Sequence, residues 1–373
     1  MAEALDAANS APEVLLARAE EQAAQAEVAA AAAPSSPSLF AATHSVTARE
    51  SLAVSSPLRW GGQRRAAVDA ARAEAATAAR LRESVRASAR RAVRIDWFTL
   101  AAAEARVQIT SERAARAEQN EKAVRALFDS GRVPQLDVTR ASAEAALARG
   151  GKDAAEETRG AAAASLGYLL GRAPGEPLAT GGDLPEPAQE KTLEQCVARA
   201  ATASPEVLVQ EERLRSAEAR LTLARRQRLP ALSAEAGADV HDPTQPGTDK
   251  YAAMTLTFPL DGPARERVAI AERGRAAQGL ERERRAALAE TEAAWRRSRA
   301  SRLQLETLDK VALPAARQAA ELSRLAYREG KIDLFRLLDA ERALSEVEAA
   351  RSDAYLGWGT AQADLIWFSG DDE

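Results

Sequence analysis

The sequence predicts a mainly α-helical protein with a small β part, in which long antiparallel coiled-coil helices alternate with two β-hairpins. Three observations carry that expectation. Aromatic residues make up only 4% of the chain and charged residues 28%, the usage of long helices and coiled coils. Apolar residues near the C-terminus recur at alternate spacings of three and four, the heptad seam of a coiled coil. Residues 10–39 can also be laid on 203–232 without a gap, so that Pro12 meets Pro205, Glu13 meets Glu206 and Pro37 meets Pro230. The chain therefore reads as two tandem copies of one plan.

The first copy, 1–188, opens with the helical "PEVLLARAEEQAAQAEVAAAAA", capped by Ser10 ahead of Pro12 in the first turn. Residues 37–58 are rich in Ser, Thr and Val and read as a β-hairpin. That hairpin is short, because a membrane-spanning strand takes roughly 9–11 residues and almost nothing is left for a turn. A long helix over 63–129, a tip at one glycine and a returning helix over 134–170 complete the copy. The second copy, 189–373, repeats the order: helix 193–228, hairpin 230–260 around the turn-rich "HDPTQPGTD", long helix 264–329, tip and helix 333–368. Pro314 interrupts the second long helix and is a place for a kink. Each long helix would extend roughly 100 Å, too long for a small globular domain.

The returning helices carry the clearest seams. Leu337, Ala340, Leu344, Val347, Arg351, Ala354, Trp358, Ala361, Leu365 and Phe368 follow the heptad in one copy. Val138, Ala141, Ala145, Ala148, Lys152, Ala155, Arg159, Ala162, Leu166 and Leu169 hold the matching places in the other. Seams so rich in alanine bury little area per pair, which calls for further neighbours from other subunits.

Several function classes are excluded at this level. The 51 basic and 55 acidic residues are interspersed and nearly balanced, so nucleic acid is not an expected partner. The single cysteine, Cys196, allows no intrachain disulfide framework. No nucleophile–base pair, phosphate loop or zinc motif appears, and neither enzyme activity nor a cofactor is expected. His44 and His241, one in each hairpin, lack a nearby carboxylate cluster and read as loop residues rather than metal ligands. No stretch approaches the roughly 18 apolar residues of a membrane-spanning helix, and "MAEALDAANSAPEV" lacks the basic start and apolar core of an export signal. Trp60 and Tyr251 read either as membrane-interface anchors or as aromatics buried at a joint between strand and helix.

The order of "PLRWGGQRR" at 57–65, "ALFDSGRVPQLDVTRA" at 126–141, "FPLDGPARERVA" at 258–269 and "LAYREGKIDLFRLLDAERAL" at 325–344 resembles the TolC-like outer-membrane efflux factors over nearly the whole chain. That resemblance implies a homotrimer, with four strands per chain in a twelve-stranded barrel in outer-membrane lipid and the helices forming an α-barrel in the periplasm. It also implies a periplasmic adaptor and an inner-membrane transporter as partners of a passive exit duct for solutes. The wording "GKIDLFRLLDAERAL" is similar to the CzcC-like heavy-metal branch. Two further readings share the pattern: a structural coiled-coil protein derived from the family that no longer inserts in the membrane, and the outer-membrane component of type I protein secretion.

The resemblance also implies sites. The tip turns Ser130, Gly131, Arg132, Val133 and Glu329, Gly330, Lys331, Ile332 fall where adaptors make contact. Tyr327 and Asp137 fall at the family's lock, whose arginine is replaced here by Ile332. Asp339 and Arg336 fall at its pore constriction, where threefold symmetry would make Asp339 a ring of carboxylates that favours cations. Arg336, one turn earlier, would neutralise that ring or pair with it.

Overall fold

The computed structural model describes residues 1–34, 36–44, 49–58, 60–181, 191–240 and 247–370. A short α1 (Ala2–Ala7) and a single 3-10 turn lead into α2 (Pro12–Ala32), followed by β1 (Ser38–His44) and β2 (Arg49–Leu58). Next come α3 (Gln63–Asp129), α4 (Gln135–Leu169), α5 (Leu193–Ala203) and α6 (Pro205–Gln227). Strands β3 (Ala231–Val240) and β4 (Asp249–Thr257) precede α7 (Gly262–Thr307), α8 (Leu313–Arg328) and α9 (Leu334–Ser369). No helix among these residues is long and apolar enough to cross a membrane.

Two expected helices are interrupted, and proline chemistry explains both. The helix expected over 193–228 breaks at Ser204, which sits at φ −56°, ψ 127°, because a residue before proline avoids the α region. The helix expected over 264–329 contains a π-helical turn at Leu308–Ala312. Pro314 has no N–H to offer the carbonyl four residues earlier, and the chain widens into i→i+5 bonding just ahead of it. α3 contains no proline and runs without a break. β1 has 7 residues, fewer than a spanning strand ordinarily takes. The turn at 45–48, the side chain of His44, and His241 lie outside the described residues.

The chain forms two compact units: residues 1–15, 85–204 and 287–373 make one, and residues 16–84 and 205–286 the other. In the first unit no seam position on α4 or α9 is exposed. Its largest core gathers Val93, Trp97, Phe98, Leu100, Leu166, Tyr355 and Trp358. Phe98 lies edge-on to Trp97 at 5.2 Å and to Trp358 at 5.8 Å, the arrangement aromatic quadrupoles favour. Gly359 makes this possible, since a Cβ there would fall 2.3 Å from the Phe98 ring.

The second unit holds an antiparallel sheet in the order β1-β2-β3-β4. Pairing puts Leu39 opposite Val54, Val54 opposite Ala236, Ala236 opposite Ala252, and Leu232 opposite Leu256. Because side chains alternate, one face is mainly apolar, with Leu39, Leu52, Val54, Met254 and Leu256 all exposed on it. The opposite face carries Ser51, Ser55, Ser233, Glu235, Asp239, Tyr251 and Thr255, with Phe40 as its large apolar member. The entries to the sheet are pinned by side chains: Trp60 donates its Nε1–H to the Pro230 carbonyl at 2.7 Å and Gln63 bonds the Arg226 carbonyl at 3.2 Å. Trp60 itself is exposed, so it is not a buried joint aromatic.

Candidate functional site

The two tips are built alike, within the first unit. At the end of α3 the Gly131 N–H bonds the Phe128 carbonyl at 2.8 Å and the Arg132 N–H bonds the Leu127 carbonyl at 2.9 Å. At the end of α8 the Gly330 and Lys331 N–H groups repeat the pattern on Tyr327 and Ala326, at 2.9 and 2.8 Å. Both are Schellman closures, which need a left-handed residue; Gly131 has φ 74° and Gly330 φ 71°. The returning helices then start differently. α4 follows Pro134, whereas α9 is capped by the Asp333 carboxylate, which accepts from the Arg336 N–H at 3.0 Å.

Below the turns, Val124, Val138, Ala141, Leu334, Leu337 and Leu338 form one buried cluster, with Val133, Tyr327 and Ile332 packed against it. The tips are therefore joined by apolar contact. Between them lies an open cleft of about 1120 Å³, lined among others by Ser130, Arg132, Val133, Asp137, Tyr327, Glu329, Gly330 and Ile332.

Tyr327 lines this cleft half-buried, and its buried hydroxyl has no hydrogen-bond partner among the described residues. Burial pushes the phenol pKa above its ordinary value, and the Asp137 charge pushes it further. Tyr327 and Asp137 are thus brought together electrostatically. Arg336 and Asp339 stand apart from them: both are exposed on α9, neither lines the cleft, and no ion pair joins them among the described residues. Arg336 gives its backbone N–H to the helix cap and its side chain is exposed, while the charge of Asp339 acts on Arg342 instead.

Two buried acids just beyond the cleft escaped the sequence reading. Glu144, 6% exposed, accepts from Arg113 of α3 at 2.7 Å and from Arg342 of α9. Burial alone would raise its carboxyl pKa, but the hydrogen bonds from Arg342 and Arg113, with their charges, outweigh burial and hold it below the usual carboxylate value. Arg342 answers in kind: its pKa is raised, chiefly by the Glu144 hydrogen bond and also by the charges of Glu144, Asp339 and Glu346. Glu341 accepts from Asn120 Nδ2 at 2.9 Å and from Arg324 Nε at 3.1 Å. Each acid sits beside a seam, at i+3 from Ala141 and i+4 from Leu337. A charge next to an apolar stripe was the available signal.

Two duplicated hairpin tips, two strand pairs and long helices are now in place. The family described as outer membrane efflux protein matches residues 5–172 and 197–370. The chain belongs to that family. Each matched segment contains one tip. Solved structures show the same fold for this efflux protein. A membrane protein from Pseudomonas aeruginosa shares 20% identity and a TM-score of 0.83, over 99% of this chain and 89% of that one. The CmeC outer membrane channel of Campylobacter jejuni shares 15% identity and a TM-score of 0.81, over 99% and 85%. The outer membrane protein VceC of Vibrio cholerae shares 18% identity and a TM-score of 0.79, over 99% and 95%. No curated protein matches this chain. As a member of this family the chain is an outer membrane efflux protein.

Proposed function

We propose that three copies of this efflux protein assemble into one conduit, with their sheets closing a twelve-stranded barrel in the outer membrane and their helices forming a periplasmic α-barrel. The observation that carries this reading is the two-faced sheet with unpaired edges at β1 and β4. An apolar face exposed to this extent suits lipid, yet lipid does not tolerate open strand edges. Three four-stranded sheets placed edge to edge remove every edge.

In this reading the tip turns at Ser130–Val133 and Glu329–Ile332 receive a periplasmic adaptor, which links the duct to an inner-membrane transporter. Tyr327 and Asp137 belong to the gate that holds the tips together. The exposed Asp339, repeated three times, biases the entrance toward cations, and Arg336 moderates that field. The test is expression with an added export signal, followed by outer-membrane fractionation and chemical crosslinking. A membrane-embedded trimer is expected; a soluble monomer would overturn the proposal in favour of a structural coiled-coil protein. In single-channel recordings, Asp339→Asn is expected to lower cation preference. Unchanged selectivity would remove Asp339 from the constriction.

A further inference from the structure

Tyr251 offers an inference that rests on the barrel reading and goes beyond it. On the polar face of the sheet, Gly237 of β3 pairs with Tyr251 of β4 on one side and with Ala53 of β2 on the other. Gly237 has no positive φ, so the backbone there does not require glycine. Space does. A Cβ on Gly237 would lie 2.8 Å from both Cζ and Oη of Tyr251 and 2.9 Å from the Ala53 Cβ.

The far end of the Tyr251 ring therefore lies directly on Gly237, at the flank of Ala53. Tyr251 reaches sideways across β3 instead of standing up from the sheet. Two further facts agree. The Tyr251 hydroxyl donates to Glu235 Oε1 at 2.8 Å, one same-face position along β3. Ala53 is only 1% exposed, although it sits on a single-layered sheet.

We infer that Glu235, Gly237 and Tyr251 form a fold-down device that sets the clear width of the barrel lumen. The polar face is the lumen face in the barrel reading, and a tyrosine is the bulkiest polar side chain that β3 and β4 place on it. Laid flat over glycine and tied to Glu235, it leaves the bore open; raised, in three copies, it would narrow the bore. The triad thus limits the size of solute that passes the outer end of the duct. Its effect is steric and separate from any charge selectivity at the tips.

The test uses the full-length trimer in liposomes with a cysteine reporter, Ser55→Cys, which pairs with Glu235 on the same face. The native Cys196 is buried and is replaced by alanine in all variants. Modification rates are compared for a small maleimide and for a bulky polyethylene-glycol maleimide added from outside. Glu235→Ala and Gly237→Val are each expected to slow the bulky reagent several-fold and to leave the small one unchanged. Adding Tyr251→Ala to either variant is expected to restore the rate. If Gly237→Val fails to assemble, Glu235→Ala alone decides. An assembled trimer whose bulky-reagent rate is unaffected by Glu235→Ala overturns the inference. A reporter that even the small maleimide cannot reach overturns the barrel reading beneath it.

Discussion

Two regions of the same unit are held together by different chemistry. Around Phe98 the helices meet through aromatic rings, with Gly359 allowing one helix to close onto the ring of another. At the tips the contact is a small aliphatic cluster, and beside it Glu144 is shared between Arg113 and Arg342 and Glu341 between Asn120 and Arg324. Ring packing is unspecific in charge but unforgiving in shape. A shared carboxylate is specific in register, yet it can be released by protonation or by a competing charge. The first is suited to an anchor that stays shut, the second to an element that must come apart.

The two regions should respond differently to loss of their central side chains. Phe98→Ala removes a ring that touches three aromatics, and a cost of about 3–5 kcal/mol is expected, read as a large drop in the melting temperature of the purified protein. Glu144→Ala leaves Arg113 and Arg342 without their shared acid. Both guanidinium groups are partly exposed and can rehydrate, so the expected loss is smaller, about 1–2 kcal/mol. A larger loss at Glu144 than at Phe98 would reverse the assignment of anchor and releasable clasp.

The clasp should also respond to acid where the anchor does not. The Glu144 carboxyl is held below its ordinary value near 4.5. A depressed carboxylate contributes stability that is fully present above the unfolded-state value and is lost as pH falls through the folded-state value. Between pH 7 and 5 the native protein and Glu144→Gln should therefore keep a constant stability difference, which then shrinks below pH 4.5. A difference that shrinks already between pH 7 and 5 would mean that Glu144 is not held as a carboxylate.

Much of this was legible in the sequence, and the exceptions are instructive. The fold class could be read because alanine-rich heptads and a duplicated motif order repeat over hundreds of residues. The tips could be read because Gly131 and Gly330 sit at equivalent places in the two copies. Illegible were features that depend on partners distant in the chain. Nothing near Glu144 announces that Arg342 will reach it from 198 residues away, and Gly237 looks like any strand glycine until Tyr251 is laid over it. The break at Ser204 was in principle readable from Pro205; the helical pattern on both sides masked it.

The tips allow a finer comparison, between the two copies. A Cβ added at Gly131 or Gly330 would meet nothing within 4 Å, so Gly131→Ala and Gly330→Ala should each cost only the left-handed backbone penalty, about 1 kcal/mol. Equal losses in melting temperature are expected. A markedly larger loss at one tip would show that its turn is also bound by another surface, which in a trimer means a neighbouring copy.

The smallest expected effect concerns Tyr327. Its hydroxyl is buried without a partner among the described residues, and a buried polar group left unsatisfied destabilises the state that buries it. Tyr327→Phe should therefore leave the melting temperature of the protein unchanged or raise it slightly, by the equivalent of at most about 1 kcal/mol. The outcome separates two roles for the residue. A neutral or stabilising change means that the ring holds the tip cluster together and the hydroxyl is a poised group, free to bond Asp137 only when the tips shift. A clear loss means that the hydroxyl bonds Asp137 in solution, and the tip would then be held by hydrogen bonding as well as by apolar contact.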